Sequence, residues 1–340
     1  MRVLEVLLEL FNARHTALEK TVSHKTRQER ANFLRRFFRD LGRKAGFPSL
    51  PDPRNLGQKH VQAMVQVWQR EQLAPATIQT YLSFLRGLAS WMGKPGFIRK
   101  PEHYGLVPSE FQRHENAQRD KSWAAHGVDV DAALAQVESF DARIAASMRL
   151  MDALALRRKE SVTFRPFQDV VPFAFTGLSE GSGRADVYVR IKGKGGRVRW
   201  LPVQTQEQRD AVAKARALAG SRDAHMGDPA HSLKSNLRRL DYAMRKFGFT
   251  GGGRGVTMHG LRHGRLQAIY EEIAGEPAPV CGGGSADPAQ DRAARLVVSR
   301  TAGHARLRAA AAYLGGPGPR RTGQHPAGFE PGDGTSAKTG

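Results

Sequence analysis

Two histidines and an arginine fall within five residues near the C-terminal end of the chain, in His259-Gly260-Leu261-Arg262-His263. A third histidine follows in Gly303-His304, and Tyr313 comes nine positions after it. Histidines four apart can share one helical face, which is zinc-ligand spacing. Here Gly260 stands where a zinc protease has glutamate, and Arg262 between the histidines would repel a bound cation, so the motif is read without a metal. A phosphodiester suits the set better. Its non-bridging oxygens gather charge in the transition state, planar guanidinium forks meet such oxygens two at a time, and histidines donate or shuttle protons. Stabilising that charge is usually the largest catalytic contribution. Arg157, Arg262, His259 and His304 could supply it. Lys194, on a turn rich in glycine, could swing in as an acid, and Tyr313 could attack and become a covalent phospho-ester. Taken singly, each of these residues reads equally well as a surface cation or a packed aromatic.

These residues need a scaffold that meets a polyanion. The chain has 340 residues with a formal net charge of +21, which suits DNA, RNA or an acidic membrane surface. At 40% hydrophobic residues most of it can build a core, and the length allows two ordinary domains. The single cysteine, Cys281, excludes an internal disulfide framework and fits a reducing cytoplasm. No stretch is apolar for the roughly 18 residues a membrane span needs. Met1 to Phe11 reads as an amphipathic helix rather than a signal peptide, since Glu5 and Glu9 interrupt it.

The elements that would position the chemistry follow from periodicity. Residues 14 to 44 carry ten Lys/Arg against three acids, and Ala31, Phe33, Leu34, Phe37, Phe38 and Leu41 recur among them at helical spacing. This helix has an apolar face for a core and a basic face bearing Lys25, Arg27, Arg35, Arg36 and Arg39. Ser23 is its expected N-cap. Helices over about 57–72 and 76–92 complete an all-helical bundle over residues 1–98. Residues 99–127, without clear periodicity, read as a linker. Helices follow over about 129–137 and 140–156. Val187, Val189 and Ile191 alternate on one strand of a hairpin and Val198, Trp200 and Pro202 on the other, joined by Lys192-Gly193-Lys194-Gly195-Gly196-Arg197. Further helices are expected over about 206–219, 232–247, 259–273, 292–302 and 306–314, with residues 276–290 as a surface excursion. Residues 316–340 contain no Val, Ile, Leu or Met and read as a disordered tail. The fold class is therefore mainly α with a small β-sheet.

Taken in order, Ala155-Leu156-Arg157-Arg158-Lys159-Glu160, Gly193-Lys194-Gly195, His259-Gly260-Leu261-Arg262-His263, Ala302-Gly303-His304 and Tyr313 resemble the catalytic boxes of the tyrosine recombinases, or phage-type integrases. That family carries Gly-Leu-Arg-x-x-Glu, Gly-Lys-Gly, His-x-Leu-Arg-His and Leu-Gly-His, with a tyrosine nine residues on. The resemblance covers about residues 125–315, and the N-terminal bundle resembles the family's core-binding domain. Four departures stand out, one of them an excursion after Gly275 that is longer than common. Ala155 replaces the first glycine, Ala302 replaces leucine, and Ala309 to Ala312 replace the threonine usual ahead of the tyrosine.

The resemblance implies a core DNA-binding domain at 1–98 and a catalytic domain at 128–315. It implies site-specific cleavage and rejoining of double-stranded DNA with no cofactor and no metal. Tyr313 would form a 3′-phosphotyrosyl link, and Arg157 and Arg262 would clamp the phosphate. His304 would donate to an oxygen, His259 would act as base or orienting group, and Lys194 would protonate the leaving oxygen. Glu160 and His263 would support them. It further implies a homo-tetramer on two DNA sites, working in the cytoplasm at the nucleoid and away from membranes. A topoisomerase-like nicking and resealing enzyme, and a DNA-binding protein without catalysis, are the alternatives.

Overall fold

A computed structural model describes residues 2–15, 21–112, 117–179, 185–193 and 196–303. The chain divides into two compact units, Met1–His114 and Glu115–Gly340.

The first unit is helical: α1 (Arg2–Phe11), α2 (His24–Arg43), α3 (Gln58–Arg70), α4 (Pro75–Trp91) and the short α5 (Pro108–Phe111). Helix α2 starts where the sequence marks it, with the Ser23 hydroxyl accepting from Thr26 N at 3.2 Å. Such caps satisfy backbone donors that a helix start leaves without partners. Its apolar stripe, Phe33, Leu34, Phe37, Phe38 and Leu41, packs with Trp68 of α3 and with Leu82 and Leu85 of α4.

The segment expected as a linker is built into the two cores instead. Tyr104, Leu106 and Phe111 are buried in the bundle, and Trp123 in the second unit. Tyr104 donates to Gln58 Oε1 at 3.0 Å and accepts from Arg99 N at the same distance. These residues sit in single turns without a repeat, so periodicity gives no sign of their burial.

The second unit contains α6 (Val130–Phe140), α7 (Ala142–Leu154), α8 (Arg158–Thr163), strands β1 (Val170–Pro172), β2 (Val187–Lys192) and β3 (Val198–Pro202), then α9 (Gln206–Ala219), α10 (Leu233–Lys246), α11 (Met258–Ala274) and α12 (Pro288–Thr301). Helix α7 is apolar on nearly every side and buried among α6, α9 and α11. The strands form one antiparallel sheet in the order β1-β2-β3.

The phase of β3 is opposite to the sequence expectation. Ile191 pairs with Arg199 and Val189 with Leu201. Directly paired residues share a face of the sheet, so Arg199 and Leu201 turn inward while Val198 is 54% exposed. The strand β1 is too short to show an alternation. Helix α12 begins four residues before the expected start, with Asp287 as N-cap. The excursion before it is pinned: Tyr270 donates to Asp291 Oδ1 at 2.7 Å, accepts from Ser285 N at 3.2 Å, and Ala278 is buried beneath. The segments expected as a helix at 306–314 and as a disordered tail lie outside the described residues.

Candidate active site

Three chain segments of the second unit meet at one carbonyl. Helix α7 stops at Ala155, whose φ of 51° is left-handed. This is the conformation in which helices commonly end, and glycine adopts it most readily. It explains the family's glycine at this position. For alanine this conformation costs about 1–2 kcal/mol of strain, partly offset by its buried methyl, worth about 0.8 kcal/mol.

The turn delivers Arg157 to the start of α8. Glu160 caps that start, accepting from Arg157 N and from Arg157 Nη1, both at 2.8 Å. Arg157 Nη2 donates to Ala302 O at 2.6 Å. Arg262, fully buried on α11, donates through Nη2 to the same Ala302 O at 2.8 Å and through Nη1 to Ala155 O. A charged group taken out of water needs such bonds. Here they also fix the two guanidiniums relative to each other.

Gly303 follows Ala302 with a φ of 72°, and a Cβ there would lie 3.3 Å from Arg157 Nη1 and from Arg199 Nη1. A Cβ on Gly193 would lie 3.2 Å from Arg199 Nη1 and 3.5 Å from Arg157 Nη1. The glycine before Lys194 and the glycine before His304 therefore both abut the Arg157 guanidinium. Lys194, His304 and Tyr313 themselves lie outside the described residues.

Arg199 belongs to the same cluster and was missed in the sequence. It is buried and holds Glu160 in a fork, Nη1 to Oε1 at 2.9 Å and Nη2 to Oε2 at 2.7 Å. Burial works to raise the Glu160 pKa, but Arg199 first, and then Arg157, bring it down to about 2. The signal available in the sequence was a lone arginine among apolar residues on a strand, and its face was misassigned.

The start of α11 is anchored by Trp123, whose Nε1 donates to Thr257 O at 2.8 Å. A Cβ on Gly260 would lie 2.5 Å from Lys121 O and 2.7 Å from Trp123 Cδ1, so the backbone of residues 121–123 can approach the helix only because residue 260 is glycine. The rings of His259 and His263 meet edge to face, 5.0 Å apart. Both pKa values are pushed down to about 4. For His259, which keeps an exposed edge, crowding by protein is the first cause, followed by the charges of Arg262, Arg157 and Lys121. For His263 burial comes first, then His259, Lys121 and Arg262, with Asp120 opposing. Both rings are thus neutral at pH 7.

This has a consequence for stability. Between pH 6.5 and 4 an unfolded chain protonates these histidines while the folded chain does not, so stability falls as pH is lowered through that window. Asp152 acts in the opposite direction. Its pKa is raised to about 6 by burial first and then by Glu207, so its cost is relieved on acidification. Two histidines against one aspartate predict net loss. Thermal melts at pH 7 and 4.5 should show a lower midpoint at the acid pH and a smaller drop for His263→Asn. An equal drop in that variant would remove His263 from the account.

The expected DNA-binding residues lie in the first unit and show unequal freedom. Lys25, Arg36 and Arg39 are exposed, although Arg36 donates to Tyr81 Oη and its guanidinium lies 5.3 Å from that ring. Arg35 forms a fork with Glu5 at 2.9 and 2.6 Å. Arg27 Nε donates to Val22 O at 3.2 Å. Arg30, also on this helix, is 3% exposed and turned inward, bonded to Asn12 Oδ1 at 2.7 Å and to Asn12 O at 2.6 Å.

Residues 11–97 match the family profile described as phage integrase, N-terminal, and residues 116–267 match the profile described as integrase. The chain belongs to the tyrosine recombinases of the phage integrase type. It is an integrase, a site-specific recombinase. The matched ranges take in Arg157, Glu160, Lys194, His259, Arg262 and His263, and end before His304 and Tyr313.

Solved integrase structures share its fold. A dimer of lambda integrase residues 75–356 bound to a COC′ core site matches with a TM-score of 0.56 at 14% identity, over 97% of this chain and 98% of that one. A lambda integrase tetramer bound to a Holliday junction gives 0.55 at 14%, over 90% and 74%. The XerH site-specific recombinase bound to difH substrate in a pre-cleavage complex gives 0.53 at 14%, over 92% and 90%. No curated protein matches the sequence. Among the described residues no helix is long and apolar enough to cross a membrane, and no group of His, Cys, Asp and Glu could hold a metal ion.

Proposed function

We propose that this integrase cleaves one strand of double-stranded DNA through Tyr313, with Arg157 and Arg262 gripping the scissile phosphate. The observation that supports this most is the shared bond of both guanidiniums to Ala302 O, beside Gly303 and two residues before His304. Two planar forks held at one point present converging positive charge to an anion before it arrives. Little reorganisation is then left for the reaction itself. His259, neutral at pH 7, accepts the phenol proton or orients the ring. His304 donates to a non-bridging oxygen, and Lys194 protonates the 5′ oxygen as it leaves. Attack forms the Tyr313 O–P bond and breaks the P–O5′ bond, giving a 3′-phosphotyrosyl ester and a free 5′-hydroxyl. A 5′-hydroxyl from a partner strand reverses the step, so the ester conserves the bond energy.

In this reading Glu160 and His263 support the catalytic set, and Lys25, Arg27, Arg35, Arg36 and Arg39 meet the duplex. The solved integrase tetramer on a Holliday junction supports a tetramer of this chain on two DNA sites, acting at the nucleoid in the cytoplasm. The test is whether the purified protein forms a covalent adduct with a nicked duplex carrying its site.

The net charge of +21 leads to a second measurable expectation. With roughly six to ten phosphate contacts, affinity should fall by about 10³ to 10⁵ between 50 and 200 mM salt through counterion release. Titrating a labelled duplex at a series of salt concentrations reads the slope, and a nearly flat response would contradict phosphate-led binding.

A further inference from the structure

Arg199 touches parts of three boxes at once. Its guanidinium holds both oxygens of Glu160, and its Nη1 lies against Gly193 and Gly303. It comes from β3, on the inward face of the sheet, paired across the strands with Ile191. Burying an arginine in a strand is a poor route to stability. Desolvating both charges offsets most of the attraction between them, and apolar replacements of buried ion pairs are often neutral or better.

The electrostatics of Arg157 suggest what the residue does. Glu160 orients Arg157 through two bonds, and a carboxylate so close also cancels the positive charge that a phosphate would meet. Alone, Arg157 and Glu160 form a neutral pair. With Arg199 bonded to the same carboxylate, two guanidiniums share one negative charge and the cluster keeps a net positive charge. Among the described residues, the side chains bonded to the Glu160 carboxylate are those of Arg157 and Arg199, while Arg262 is bonded to backbone carbonyls.

We propose that Arg199 is a positioning residue for strand cleavage, which neutralises Glu160 so that the carboxylate can orient Arg157 without screening it from the scissile phosphate. Arg199 acts through Glu160 and does not touch the DNA. This rests on the reading of Arg157 as a phosphate clamp.

The experiment measures single-turnover cleavage of a nicked duplex by the full chain and by Arg199→Met, Glu160→Gln and the double variant, with duplex affinity and thermal midpoint recorded for each. Arg199→Met should cleave about 100-fold more slowly, a loss comparable to that of one charge-stabilising donor, with affinity nearly unchanged. Glu160→Gln alone should also be slower than the wild type. Combined with Arg199→Met, however, it should restore at least about tenfold, because glutamine keeps an oxygen for Arg157 and carries no charge to be neutralised. The same substitution is then harmful in one background and helpful in the other, a coupling that a packing role does not produce. A wild-type rate in Arg199→Met, or a double variant no faster than it, overturns the proposal. Should Arg199→Met fail to fold, Arg199→Lys carries the test. The charge without the fork should then retain more activity than Glu160→Gln, and less activity overturns the proposal. Absence of any adduct from the wild-type chain would instead remove the clamp reading itself.

Discussion

Tyr313→Phe is expected to abolish the covalent protein–DNA adduct completely while leaving fold and duplex affinity intact. The substitution removes one oxygen. A phenol has an ordinary pKa near 10, so at neutral pH it attacks only with help. In the proposed mechanism, converging guanidiniums on the bound phosphate would favour phenolate character, and His259 would take the proton or orient the ring. Incubating each protein with a nicked suicide substrate and resolving the products on a denaturing gel separates two outcomes. If Tyr313 is the nucleophile, the wild type shifts the labelled strand and the Phe variant does not. If it is merely a packed aromatic, phenylalanine replaces it at almost no cost and the adduct persists. A persisting adduct would transfer the role to another residue and end the assignment that rests on the nine-residue spacing from His304.

The helices were the most legible part of the fold. Ser23 caps α2 as expected, and the helices expected from about 129 and 232 begin beside Asp129 and Ser232, whose side chains bond backbone donors in the same way. The apolar stripe of α2 is the one its spacing dictates. Periodicity reports a face only when the repeat is long enough to fix its phase. On β3 the apolar Val198, Trp200 and Pro202 outvote Arg199, but the cross-strand register decides, and it is not written in either strand alone. The same limit hid the burial of Arg30, which sits on the basic helix among exposed cations and is turned inward by Asn12 and by the Trp91 ring 4.8 Å away. Tyr104 and Trp123 were illegible for another reason: single turns bury side chains without repeating. Within the site, the boxes announced Arg157, Glu160 and Arg262. The carbonyl that joins the two arginines belongs to Ala302, whose side chain carries no chemistry, and backbone groups leave no trace in residue type.

The role of that carbonyl predicts the outcome of Arg262→Lys. Both side chains carry a positive charge, so a residue needed only for its charge would tolerate the change. Arg262 is also a planar fork: one terminal nitrogen bonds Ala302 O and the other bonds Ala155 O. A lysine presents its donors from a single point and cannot span two carbonyls on different segments while also meeting a phosphate. In a position with no solvent exposure its charged form is disfavoured as well. Single-turnover cleavage by Arg262→Lys should therefore fall by roughly 10² to 10³, the range seen when one preorganised donor is removed. Duplex affinity should change by less than about fivefold, since most phosphate contacts remain. The thermal midpoint should also drop, because a buried carbonyl loses its partner, at about 1–3 kcal/mol. The Arg157 side is the internal control. Arg157 keeps Glu160 and Ala302 in this variant, so residual cleavage should remain well above that of Tyr313→Phe. If Arg262→Lys cleaves at the wild-type rate, fork geometry is not what the site requires, and Arg262 contributes charge alone.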